Sequence, residues 1–177
     1  MRAALLLPVV ALLWAGMLLG ISFLEAWVKF QAPSLSLEEG LDVGRHVFGA
    51  FNLVEIAAAV LLAALAYAAR ASRRVLVALG VAVAVVAVQS AWLLPVLDER
   101  VELILAGGDP PDAPYHVLYI GLEGVKLLAL LVAGLGALAA ATRSPRGREA
   151  LDLDEAPRAV GVLGDEVRKP AARHQAL

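Results

Sequence analysis

The chain has 177 residues, of which 60% are hydrophobic and only 18% charged. Its 15 Lys and Arg against 17 Asp and Glu leave a formal charge of −2, which gives no reason to expect nucleic-acid binding. The absence of cysteine excludes a disulfide framework, thiolate metal ligation and thiol-based redox chemistry.

Four apolar runs dominate the sequence, at about 3–24, 47–69, 75–97 and 116–141. Each exceeds the ~20 residues an α-helix needs to cross the ~30 Å hydrocarbon core of a bilayer. A soluble domain of this length has no interior large enough to hide them. The expected fold is all-α: a polytopic membrane protein whose residues 1–141 form an antiparallel, up-down four-helix transmembrane bundle, with the lipid bilayer as its surroundings.

Met1-Arg2 followed by Ala3–Leu13 has the outline of a signal peptide. The apolar stretch nevertheless continues through Trp14, Met17, Leu19 and Phe23 with no small-x-small cleavage site, so it reads as a retained helix. Pro8 lies about one turn inside it and predicts a mild kink. The helix is expected to run on to Lys29 or Phe30, carrying Glu25 and Lys29 as an i,i+4 pair, until Gln31-Ala32-Pro33 ends it.

Ser36-Leu-Glu-Glu39 has the pattern of a capping box, so the second helix is expected to begin near Leu37 and to enter the bilayer near Phe48. It carries Arg45, Phe48, Asn52 and Glu55 at offsets of 3, 4 and 3, which share one helical face. Ala71–Arg74 is the tight turn to the third helix, which offers Gln89 and Ser90 and is expected to end near Pro95–Leu97. A separate amphipathic piece, Val101–Leu105, and the turn residues Gly107–Pro111 follow. The fourth helix is expected from Ala113–His116 onward, with His116, Tyr119, Glu123 and Lys126 again at offsets of 3, 4 and 3. Beyond Ala141 the composition turns to Arg, Pro and acids, and 142–177 reads as a mostly disordered cytoplasmic tail.

Basic residues mark one side: Arg2, then Arg70, Arg73 and Arg74, then Arg143, Arg146 and Arg148. The other two loops are acidic, with Glu38, Glu39 and Asp42 in one and Asp98, Glu99, Glu102, Asp109 and Asp112 in the other. The positive-inside rule then places both termini in the cytoplasm and the acidic loops outside, with the cell inner membrane as the expected location.

Polar groups inside hydrocarbon cost ~2.5–3.5 kcal/mol for a mid-membrane charge, so those present need a reason. Counted inward from the outer boundary, Glu55, Gln89 and Glu123 share one layer ~12 Å down at 1.5 Å per residue, with Asn52 shallower and Lys126 deeper. The candidate binding residues are Arg45, Asn52, Glu55, Gln89, His116, Tyr119, Glu123 and Lys126, with Glu25, Lys29 and His46 at the entrance. Two readings compete. Such residues often serve only as glue between helices, at ~0.6 kcal/mol per hydrogen bond. Glu123 and Lys126 then neutralise each other while Glu55 bonds Gln89 or is protonated. Against this, the two carboxylates outnumber the one lysine, so one must be protonated, paired with Arg45, or matched by a bound cation.

No metal or cofactor is expected. His116 and Glu123 are seven residues apart, ~10 Å along a helix axis, too far to hold one ion, and no Glu-x-x-His pair is present. No Ser/His/Asp set, phosphate-cradling glycine loop or zinc signature occurs, so no catalytic residue is assigned and an enzyme is not the favoured reading. Trp14, Phe23, Trp27, Phe30, Trp92 and Tyr115 read as an interfacial aromatic belt. Gly16 with Gly20, and more loosely Gly121 with Gly124, read as small-residue points of close helix contact.

The segment Gly20–Ala26, Lys29-Phe30, Ala32-Pro33, Gly44-Arg45, Phe48, Asn52 and Glu55 resembles a group of bacterial four-span membrane proteins that have no assigned activity. Gln89, Pro95, Arg100, His116, Tyr119, Glu123 and Lys126 extend the likeness, which covers Trp14 to about Gly136. More loosely, the chain is similar to transmembrane protein 205-like proteins, which share four spans and a proline in the first outer loop. The resemblance implies the four-span architecture and a bacterial membrane, and it carries no catalytic residue with it.

The leading expectation is a membrane protein with a polar site in its outer half that handles a proton, cation or small polar solute. Glu55 and Glu123 are its exchangeable carboxylates, Lys126 the counter-charge, and Asn52, Gln89 and Tyr119 the orienting hydrogen-bonders. A structural or assembly protein recruiting a partner is the second reading, and a haem- or quinone-binding redox protein the third. Four spans are few for alternating access, which points to a homo-oligomer.

Overall fold

The computed structural model describes residues 2–143, and they are helical apart from three connections. Four helices are long and apolar enough to cross a membrane: α1 (Arg2–Gln31), α2 (Leu37–Ala69), α3 (Arg73–Leu105) and α4 (Tyr115–Arg143). Of the segment expected as a tail, Thr142 and Arg143 continue α4, and the rest lies outside the described residues.

Each helix buries one stripe at 3–4-residue spacing. On α1 it is Leu7, Ala11, Trp14, Ala15 and Leu18; on α2, Phe51, Ala59, Leu62 and Ala66. On α3 the stripe is Val75, Ala78, Leu79, Ala82 and Val86, and on α4 it is Ala129, Leu130 and Ala133. These form one core, with α1 packed along α2 and α2 along α3. The opposite faces are equally apolar, with Leu13, Leu53, Val60 and Leu128 all more than half exposed. Helices apolar all round are what a bilayer solvates and water does not.

The helix ends follow local chemistry. Ser36 and Glu39 form the expected box: the Glu39 N–H donates to Ser36 Oγ at 3.2 Å, and the Ser36 N–H donates to Glu39 Oε2 at 2.8 Å. Arg70 closes α2 in the left-handed region, at φ 50°, its N–H reaching the Ala66 and Tyr67 carbonyls. Gly107 takes φ +79° after α3, with the Gly107 N–H donating to Ile104 O and the Gly108 N–H to Leu103 O, both at 2.9 Å. That is a Schellman ending, and glycine takes its left-handed position without the steric cost that Arg70 bears at the end of α2.

Two expectations are corrected here. The third helix does not stop at Pro95–Leu97. It runs unbroken to Leu105, so Val101–Leu105 is its last turn rather than a separate piece. Pro95 is tolerated because the turn before it, Gln89–Leu93, is π-helical. The wider winding moves the carbonyl that the proline ring would otherwise strike, and no partner is owed to the missing N–H. The glycine pairs also fail as contact points. A Cβ at Gly16, Gly20, Gly121 or Gly124 would meet nothing within 4 Å. Close approach falls instead at Gly44 against Lys29, Gly40 against Phe30 and Gly134 against Leu12.

Candidate functional site

The buried stripes do not stay apolar. On α2 the series Phe51, Glu55, Ala59, Leu62 places a carboxylate at a core position. On α4 the series Tyr119, Glu123, Lys126, Leu130, Ala133 places two charges there, and on α3 Gln89 follows Ala82 and Val86. Helical periodicity therefore points Glu55, Gln89, Glu123 and Lys126 at the same interior. All four are at most 2% exposed.

They form one closed network. The Lys126 ammonium has three protons and three acceptors: Glu55 Oε1 at 2.6 Å, Glu123 Oε1 at 2.8 Å and Gln89 Oε1 at 2.8 Å. The Gln89 amide returns a bond from Nε2 to Glu123 Oε1 at 2.8 Å. From α1 the Trp14 indole N–H donates to Glu55 Oε1 at 3.1 Å. A lysine so placed has no free donor. Two carboxylates around one ammonium leave one negative charge in excess.

Two buried polar atoms among the described residues have no hydrogen-bond partner, Glu123 Oε2 and Ser22 Oγ. Ser22 sits in the second π-helical stretch, Leu19–Glu25 of α1. Tyr119, buried and one helical turn from Glu123 on α4, carries its hydroxyl near the Glu123 carboxylate and the Ser22 hydroxyl, neither orphan atom being hydrogen-bonded to it. Both π-helical stretches thus present a side chain to the polar layer, Ser22 from α1 and Gln89 from α3. Such bulges cluster at functional positions because the extra residue re-aims the side chains of one turn.

Tyr119 also belongs to the lining of a cavity of about 700 Å³ between the loop-bearing ends of α1, α2, α3 and α4. Its walls include Phe30, Phe48, Leu94 and Ile104, with Asn52, Ser90, Arg45, Lys29, Arg100 and His116 as polar members. That volume lies in the ~300–1,000 Å³ range of small-molecule sites. Ser90 donates to Asn52 Oδ1 at 2.7 Å, so Asn52 is tied to α3 rather than to the charge network. Tyr119 stacks edge-on against Phe48, with centroids 5.5 Å apart.

The candidates thus divide. Glu55, Gln89, Glu123 and Lys126 are brought into direct contact, and Tyr119, one helical turn along α4 from Glu123, lines the cavity. Arg45 is not a partner of either buried glutamate: it pairs with Asp42 at 2.8 Å, Glu102 at 3.1 Å and Asp98 at 3.7 Å. Expected Glu55–Gln89 bonding is replaced by Gln89 bridging Glu123 and Lys126, because Trp14 and Lys126 occupy Glu55 Oε1. Lys29 lies 3.4 Å from Glu25, with its Nζ 5.3 Å from the Phe30 ring centroid and 5.2 Å from that of Phe48. Gly44 makes room for it, since a Cβ there would come within 2.6 Å of Nζ. His116 is exposed and lines the cavity, whereas His46 is exposed, bonds the Asp42 carbonyl through Nδ1 at 2.8 Å and is not part of the lining.

Two participants escaped the sequence reading. Trp14 is no interfacial residue: it is 1% exposed and bonded to Glu55. Its spacing from Leu7, Ala11 and Leu18 marked it as a core position. Ser22 carried no signal, because a π-helical turn cannot be read from residue spacing.

The fold and site together define an all-helical protein with four membrane-length helices around a buried cluster of two carboxyl groups, a lysine and a glutamine. Comparison with protein-family models, curated proteins and solved structures finds no match.

Proposed function

We propose that this is a multi-pass protein of a bacterial inner membrane that takes a small polar solute or ion from the outside into the buried polar layer. The four helices run up and down as antiparallel neighbours, the basic α2–α3 turn and both termini are cytoplasmic, and the cavity opens outward. The short basic turn, the acidic loops and the apolar outer faces of all four helices support that placement. The observation that carries the functional reading is the Glu55–Lys126–Glu123 cluster, which has one carboxyl more than its single ammonium can match and lies one helical turn along α4 from Tyr119, a residue of the cavity lining. Helix glue alone requires no unmatched charge and no cavity.

The cysteine-free chain suits single-cysteine mapping. Ser72→Cys should resist, and Asp109→Cys should accept, a membrane-impermeant thiol reagent applied to intact spheroplasts; the opposite pattern would reverse the topology. For function, purified protein in sealed vesicles should move protons, alkali cations or small polar solutes, and Glu55→Gln and Glu123→Gln should abolish that movement while preserving helicity. Full activity in both variants would leave the cluster a structural device.

A further inference from the structure

We propose that the ion taken by this layer is a proton, held on Glu123 Oε2 and delivered from the cavity through the Tyr119 hydroxyl, with Ser22 as the second hydrogen-bond partner of the site. This rests on the functional reading above and names its species. Charge balance comes first: Glu55, Glu123 and Lys126 sum to minus one, and a buried site excludes an unmatched charge. Location comes second. Glu55 Oε1 and Glu123 Oε1 are occupied by Trp14, Lys126 and Gln89, whereas Glu123 Oε2 is buried and unpartnered. Ser22 Oγ, the other orphan among the described residues, and the nearby Tyr119 hydroxyl are the groups available to pair with it. A proton on Oε2 turns the orphan acceptor into a donor and gives these hydroxyl oxygens something to accept.

The choice of a proton over a metal cation follows from Lys126. Its ammonium sits 2.8 Å from the other oxygen of the same carboxylate. A sodium or potassium ion on Oε2 would face that charge with only two neutral hydroxyls to replace its water shell. A proton needs a single oxygen. The groups around Glu123 are Ser22 from α1, Glu55 from α2, Gln89 from α3, and Tyr119 and Lys126 from α4, with Trp14 of α1 bonded to Glu55 behind them.

The transfer balances without any further reactant. A proton from solvent in the cavity bonds to Tyr119 Oη as the phenolic O–H proton passes to Glu123 Oε2. Two O–H bonds break, one in hydronium and one in the phenol, and two form, at Tyr119 Oη and at Glu123 Oε2; the hydronium becomes water, the phenol is regenerated, and the carboxylate becomes a carboxylic acid. Tyr119 is suited to this because it lines the cavity yet is only 5% exposed.

The test is infrared difference spectroscopy of the purified full-length protein in detergent, stepping the pH downward and following the carboxylic-acid C=O stretch. A single band should be gained, should be missing in Glu123→Gln and should persist in Glu55→Gln. Tyr119→Phe should keep the band but slow its response to a pH jump about 100-fold, the scale of losing one positioned proton-transfer group. Ser22→Ala should shift the band without removing it, which keeps the test open if Glu123→Gln does not fold. A band that follows Glu55 instead, a Tyr119→Phe variant as fast as the parent, or no band at any pH would each overturn the proposal. If vesicles move no solute while the band behaves as described, the transport reading falls and the proton site stands.

Discussion

Replacing Lys126 by methionine removes one ammonium on which three buried acceptors depend, at 2.6, 2.8 and 2.8 Å. Hydrogen bonds to a charged group contribute ~1.5–3 kcal/mol each, so three would sum to roughly 5–9 kcal/mol if nothing else responded. Protonation limits the damage. Neutralising a carboxyl of ordinary acidity, near 4.3, costs about 3.7 kcal/mol at pH 7 at 1.36 kcal/mol per unit. The cheaper route wins, so the expected loss is about 4 kcal/mol, within the ~3–5 kcal/mol range for breaking a buried ion pair. With Glu123 already protonated in the parent, the folded variant holds two protons more than its unfolded chain against one for the parent, so its deficit must shrink as pH falls, to about 1 kcal/mol at pH 5. Glu55→Gln, Glu123→Gln and Lys126→Met combined should regain at least half of the loss, because a neutral set leaves no charge uncompensated. Unfolding in mixed micelles by an SDS titration, followed by circular dichroism at pH 7 and pH 5, measures all three quantities. A deficit below about 1 kcal/mol at pH 7, or one that does not change with pH, would refute the account of the cluster as a buried charge balance.

Trp14→Phe should cost ~1.5–3 kcal/mol through the lost bond to Glu55, read in the same micelle titration. Gly134→Ala should destabilise by ~1–3 kcal/mol, because its Cβ would meet Leu12 side-chain atoms at 2.8 Å. Gly16→Ala, with nothing in reach, should be neutral or slightly stabilising in the same micelle titration. Gly107→Ala should loosen the end of α3 by about 1 kcal/mol, read as faster amide exchange at Gly107 and Gly108. Ahead of the apolar part of α2, the Ser36 backbone N–H and hydroxyl hold the Glu39 carboxyl below its ordinary range. A lowered folded-state value means that the cap is intact at neutral pH and is lost as pH falls through that value. Protection of the Ser36 amide against exchange, corrected for the intrinsic pH dependence, should therefore fall only in acid, and Glu39→Gln should remove the dependence.

Sequence alone determined the helices and their approximate limits. Apolar run length, the Ser36–Glu39 box, the Gln31–Pro33 stop and the Gly107–Gly108 turn act over a few residues, and the chain states them openly. Periodicity also placed Glu55, Glu123 and Lys126 on core-facing stripes, and equal depth along the helices predicted that Gln89 would join them. Pairing was another matter. Arg45 could equally have turned inward, and only the packing of α2 against α3 set it beside Asp98 and Glu102. Trp14 looked interfacial by residue type until α1 lay along α2 and brought its indole to Glu55. The two π-helical turns, and with them the position of Ser22 and the passage of α3 through Pro95, arise where packing decides the winding of a single turn. That decision belongs to contacts between helices, which no local pattern in the chain encodes.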